Sequence, residues 1–214
     1  SKMFIPELPF GGQVTLVSML PVVLISYRHG VKWGLVSGLA YAMIEMAIGA
    51  KTVTAAFQPG YFGDGRMIGN ALIMCLMDYL LAFTVLGLGG LFRRKCESQG
   101  TALVLGALLT GALRYLLHVI AGCTVWAGLS IPTEAALVYS LAYNATYMLP
   151  ETLVAALGAW YLSRAVDLRE QMPTRAKAVQ SGNLVLSLIG KTALLAAAVW
   201  DIVEIFRPLP DAET

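Results

Sequence analysis

Charge is what this sequence has least of. Only 13% of its 214 residues are Asp, Glu, Lys or Arg, roughly half the share in an ordinary soluble domain. Hydrophobic residues make up 57%, and the mean hydropathy is +0.70. Such a chain cannot cover a water-facing surface, which excludes soluble enzymes and disordered tails. Its three cysteines (Cys75, Cys96, Cys123) are odd in number, far apart and without C-x-x-C spacing, so neither a disulfide framework nor a metal site is expected and the thiols read as packing residues. No G-x-S-x-G, no H-E-x-x-H and no phosphate-binding glycine motif opening a helix is present, so no catalytic residues, metal or cofactor are expected and an ATP-driven step needs a partner chain. The net charge of +2 is small and dispersed, which points away from nucleic acid. The opening residues lack a basic region followed by an apolar run and a small-residue cleavage site, so no signal peptide is expected.

What the chain does have is apolar runs. Bounded by charge or by Gly and Pro, they give six candidate transmembrane helices at 13–28, 31–49, 67–92, 101–126, 134–164 and 184–206. The fold class expected is therefore an all-α integral membrane protein, a single domain in the lipid bilayer. Residues 1–12 read as an outer loop, 168–183 (LREQMPTRAKAVQSGN) as a polar linker and 207–214 as an outer tail. The first span is short and contains Pro21, which predicts a kinked or partly re-entrant helix. One side of the membrane receives Arg28, Lys32, Arg93, Arg94, Lys95, Arg164, Arg169, Arg175, Lys177 and Lys191, ten of the 15 basic residues. That side is expected to be cytoplasmic, with both chain termini extracellular. Gly30, Gly34 and Gly38 repeat at every fourth position, as do Ala193 and Ala197, and small residues in that register allow close helix approach.

Polar residues inside spans are costly against lipid, so each one is a candidate for a functional site. Arg114, His118, Gly122 and Trp126 recur at intervals of four along the fourth span and share one drifting face. Tyr139, Tyr143, Asn144, Tyr147 and Glu151 cluster in the fifth span, and Asn70, Asp78 and Tyr79 lie in the third. Three helices thus direct polar and aromatic groups toward one outward-facing volume suited to a small aromatic cation. Trp126, Tyr139 and Tyr79 offer ring faces worth roughly 0.5–2 kcal/mol each by cation–π contact. Asp78 offers a negative charge, Asn144 an acceptor and a donor pair, and His118 a ring that stacks or donates. The competing structural readings are an aromatic belt for the Tyr and Trp residues, a packed His118, and an ion pair between Asp78 and Arg114.

Five strings bring a family into view: GGQVTLVSMLPVVLISYRHGVKWGL (11–35), LMDYLLAF (76–83), GLFRRK (90–95), LRYLLHVIAGCTVW (113–126) and VYSLAYNATYMLP (138–150). They resemble the thiamine-specific S-components of energy-coupling factor (ECF) transporters and touch five of the six spans. The resemblance implies a prokaryotic plasma-membrane protein of the six-helix S-component fold. Such a protein captures thiamine from outside and docks on a transmembrane coupling subunit that carries two ATPase subunits. The binding positions carried over are Asp78, Tyr79, His118, Gly122, Trp126, Tyr139 and Asn144. Two departures stand out. Gly11-Gly12-Gln13 lies where some members place a Trp. The apolar, small-residue helix that opens the family's chains sits last here, at 184–206, so that residues 13–167 hold the family's helices two to six. This order implies a circular permutation with the old ends joined near Gln180-Ser181-Gly182, the alternative being a natural chain with an unrelated extra helix, and the small-residue face of that last helix puts partner docking on Ala193 and Ala197. The alternatives are an S-component for another vitamin or a thiamine precursor, an intramembrane enzyme using His118 and Asp78 as acid and base, and a purely structural or assembly protein.

Overall fold

The computed structural model describes residues 17–62, 67–128, 132–170, 174–175 and 184–205. The loop 1–12, the start of the first span, the Gly11-Gly12-Gln13 stretch, the joint near Gln180-Ser181-Gly182 and the tail 207–214 lie outside the described residues. The helices are α1 (Leu20–His29), α2 (Val31–Ile48), α3 (Ala50–Ala56), α4 (Met67–Met74), α5 (Ala82–Thr84), α6 (Gln99–Ala121), α7 (Glu134–Ala165) and α8 (Leu184–Ile205). A π-helical stretch, Cys75–Leu81, joins α4 to α5, a 3₁₀ stretch, Val85–Gly90, follows α5, and a second π-helical stretch, Gly122–Trp126, extends α6.

Three of these runs are long and apolar enough to cross a membrane: Val31–Ile48, Ile68–Gly90 and Gln99–Trp126. The 32 residues of α7 are long enough, but its Tyr, Asn and Glu residues make it less apolar. Large apolar side chains face outward all round the bundle, among them Trp33, Met43, Ile68, Leu72, Leu153, Leu157 and Leu195, which is how a chain is built for a lipid surround.

The first span departs from its expectation. The described helix begins at Leu20, so Pro21 occupies the first turn and starts α1 instead of kinking it. Proline's missing N–H costs nothing there, because a first-turn N–H has no partner within the helix. The ten residues of α1 reach only about 15 Å. At Gly30, with φ at 94°, the chain breaks and re-enters α2, so this glycine is a hinge between helices and not part of the small-residue face.

Gly34 and Gly38 do form a close-packed seam. A Cβ at Gly34 would strike the Gly87 carbonyl and Ser26, and one at Gly38 would come within 2.9 Å of the Phe83 and Thr84 carbonyls. The buried Ser26 hydroxyl donates to the Gly87 carbonyl and accepts from the Gly90 N–H at 2.8 Å, tying α1 to the 3₁₀ stretch. Ala102, Leu103 and Ala107 of α6 pack with Ala156 and Ala159 of α7 and with Leu20 and Tyr27 of α1 in one buried cluster. Beyond α7, Val166 pairs with Arg175 and Asp167 with Thr174 in a short antiparallel ladder.

Candidate functional site

Asp78 lies on the π-helical stretch Cys75–Leu81 and is buried. Its Oδ2 accepts from the Trp126 indole Nε1–H at 2.6 Å, and its Oδ1 lies 3.0 Å from His118 Nδ1. Trp126 closes the second π-helical stretch, Gly122–Trp126, two helical turns beyond His118. The wider π turn shifts where a side chain emerges, and such turns recur at functional sites because they re-aim one residue against its neighbours. His118 Nε2 is buried and has no hydrogen-bond partner among the described residues. One carboxylate therefore orients two aromatic rings and leaves the far nitrogen of one of them open to a further partner.

The fifth span supplies the other wall. Buried Asn144 donates to the Ser140 carbonyl at 2.9 Å and to the Ser140 hydroxyl at 3.2 Å, and its Oδ1 accepts from the Tyr147 hydroxyl at 2.6 Å. Its Nδ2 also lies 3.5 Å from the His118 carbonyl. Gly122 makes this contact between helices possible. A Cβ there would run into the Ser140 hydroxyl and sit 3.5 Å from Asn144 Nδ2. The Ser140 hydroxyl donates to the Val119 carbonyl at 2.9 Å, which ties α7 to α6 at this level.

The aromatic residues are distributed unevenly. Tyr139 is 58% exposed and stacks on Tyr143 at 6.0 Å, and Tyr143 meets Tyr147 edge-on at 5.8 Å. Tyr139 thus joins the site through a ladder of rings and not by contact with Asp78. Half-buried Tyr79 packs with Trp126 on the cluster of Ala71, Met74, Cys75 and Val125, and its hydroxyl lies against Gly49 at the break between α2 and α3. Ala197 is buried while Ala193 is exposed, so the proposed docking pair is only half open. A Cβ at Gly190 would run into the Tyr161 ring, which places this part of α8 against α7.

The ion pair expected as the structural alternative for Asp78 does not form. Arg114 bonds Glu151 at 2.6 Å, contacts Met19 Sδ at 3.2 Å and lies 4.9 Å from the centre of the Phe83 ring. Glu151 lies one helical turn beyond Tyr147 on α7 and is fully buried. The guanidinium is neutralised there, which leaves the Asp78 carboxylate as the site's own negative charge.

Three contributors escaped the sequence reading. Ser140 is a small residue with no spacing signature that would mark it as the anchor of Asn144. Tyr61 and Phe62 follow α3 and set ring edges against Trp126 at 6.1 and 5.6 Å. Their only signal was two adjacent aromatics beside Gly60, whose φ of 85° turns the chain.

Comparison with known proteins adds the remaining link. The family described as Thiamine transporter protein (Thia_YuaJ) matches residues 2–60 and 63–168. Thiamine transporter ThiT of Bacillus subtilis (strain 168) is 31% identical over 166 residues, covering 73% of this chain and 77% of the relative. No solved structure matches the chain significantly. Every residue of the Asp78, His118, Trp126 and Asn144 constellation falls inside the matched region. The chain belongs to the thiamine transporter family.

Proposed function

We propose that this chain is the substrate-capturing subunit of an energy-coupling factor transporter, taking thiamine from outside a prokaryotic cell for ATP-driven uptake. The observation that carries the reading is the Asp78 carboxylate holding Trp126 and His118 at 2.6 and 3.0 Å in a buried, aromatic surround. A thiazolium ring carries a permanent positive charge, and in a low-dielectric pocket it needs a counter-charge and ring faces to rest on. His118 Nε2 and the Asn144 amide supply hydrogen-bonding edges for the second heterocycle, while Tyr79, Tyr139 and Gly122 shape the walls. Asp78 and His118 are binding groups in this reading and not an acid–base pair, which membership of a transporter family supports.

The reading includes six spans, an outward-facing site, a cytoplasmic basic face, extracellular termini, and docking on a coupling subunit with two ATPases. It also includes the circular permutation. The family match stops at residue 168, before α8, and the aligned stretch leaves about a quarter of the B. subtilis relative uncovered. A displaced helix accounts for both.

Titration of the detergent-purified protein with thiamine, followed by tryptophan fluorescence, tests the site. Trp126 should be quenched on binding, and Asp78→Asn should weaken the affinity by about tenfold or more, since a buried charge pair is lost. An Asn variant that binds like the parent would remove Asp78 from the site. Thiamine diphosphate, which brings negative charge toward Asp78, should bind no better than thiamine.

A further inference from the structure

Far from the Asp78 site, a recess of about 450 Å³ is lined by Arg28, His29, Arg93, Leu168, Arg169 and Glu170. Three arginines and one glutamate are among its lining residues, so their formal charges sum to positive even with His29 neutral. Its walls are fixed in place. Arg93 donates to the Arg28 carbonyl at the end of α1 and lies 5.9 Å from the centre of the buried Tyr27 ring. Arg169 donates through Nε to the Tyr27 hydroxyl and through Nη2 to the Cys96 carbonyl, each at 3.1 Å. Gln99 holds the segment that carries Arg169, accepting from the Leu168 N–H and donating to the Val166 carbonyl, each at 2.8 Å.

The level of the recess says what would fill it. Helices α1 and α7 and the 3₁₀ stretch all end beside it, at His29, Ala165 and Gly90. Trp33, just past the end of α1, is 60% exposed, and exposed Trp160 near the end of α7 lies 5.0 Å from the Arg164 guanidinium. Exposed Trp beside Arg at helix ends is the pattern of a membrane–water boundary, where phospholipid headgroups lie. Guanidinium forks match phosphate oxygens, and basic recesses between membrane helices hold anionic headgroups. We infer that this recess binds the phosphate of an anionic phospholipid headgroup. The inference is independent of the thiamine reading, because none of its residues belongs to the Asp78 site.

Native mass spectrometry of the full chain in detergent, with phosphatidylglycerol or phosphatidylcholine added, tests it. Phosphatidylglycerol should be retained about tenfold better, because the choline ammonium is repelled by the same guanidiniums. Arg28→Gln and Arg169→Gln should each lower its retention about fivefold, and Arg169→Lys less so, while the thiamine titration stays unchanged and reports that the variants fold. Arg94→Gln, outside the recess, should have no effect. Equal retention of the two lipids would overturn the inference, as would an Arg94→Gln loss equal to that of Arg28→Gln, which would mean diffuse surface attraction. Complete displacement of phosphatidylglycerol by inorganic phosphate would overturn the lipid as the occupant and make free phosphate the ligand.

Discussion

Residue by residue, the interior of this bundle separates two charges that a linear reading brings together. Asp78 and Arg114 face the same part of the molecule, yet Arg114 is taken by Glu151 at 2.6 Å, and both of those side chains are buried. On the proposed binding role of Asp78 the partition matters, because an Arg114–Asp78 pair would cancel the charge offered to a cation. Removing one half of a buried pair strands the other, typically at a cost of about 3–5 kcal/mol. Glu151→Gln should therefore lower the thermal unfolding temperature in detergent markedly. It should also weaken thiamine binding, since the freed guanidinium is then available to Asp78. Replacing both residues with Met and Leu should recover most of the stability, because an apolar pair of similar volume leaves no uncompensated charge. A single Glu151→Gln variant as stable as the parent would show that the pair contributes nothing to the fold.

At the scale of elements, glycines set how closely the helices meet, and so where the polar side chains lie. Gly122 is the case that joins packing to binding. A methyl group there would collide with the Ser140 hydroxyl, and relieving the clash would move α7, with Asn144, away from α6. Gly122→Ala should weaken thiamine binding in the fluorescence titration by more than its effect on unfolding temperature would suggest. Adding Ser140→Gly should restore part of the affinity by vacating the space the methyl needs. No recovery in the double variant would mean that Gly122 acts on the ligand directly and not through helix spacing. The π-helical stretches have a comparable role. They carry Asp78 and Trp126, whose side chains meet at 2.6 Å.

For the whole molecule, the last helix, α8, meets α7 where Gly190 lies against the Tyr161 ring. A circular permutation requires the old ends to be close on one face and the new ends close on the other, since a loop can be cut and rejoined only where its ends are neighbours. Cysteines introduced at Ser1 and Thr214, on a background lacking Cys75, Cys96 and Cys123, should crosslink readily and react with a membrane-impermeant thiol reagent from outside. Labelling only from the cytoplasm would overturn the topology. The docking reading belongs to this scale too, and the structure sharpens it: Ala193 is exposed whereas Ala197 is buried. Ala193→Trp should block transport in a reconstituted complex and spare thiamine binding. Ala197→Trp should disturb the bundle itself and lower the unfolding temperature.

The membrane class and the candidate binding residues could be read from the sequence because each rests on local chemistry. Apolar runs need lipid, and polar residues inside them need a reason to be there, so Asp78, His118, Trp126 and Asn144 stood out before any helix was placed. Three of the apolar runs recur as helices long and apolar enough to cross a membrane, Val31–Ile48, Ile68–Gly90 and Gln99–Trp126. What the tertiary structure alone decided was pairing. Which carboxylate takes Arg114, which rings brace Trp126 and which hydroxyl anchors Asn144 all depend on groups far apart in the chain, brought together by helix contacts at Gly34, Gly87 and Gly122. The start of α1 at Leu20 was a tertiary matter as well, since a proline reads equally as a kink within a helix or as its first turn. Sequence spacing fixes which residues share a helix face, but the distance between two faces is set by the side chains that are missing between them.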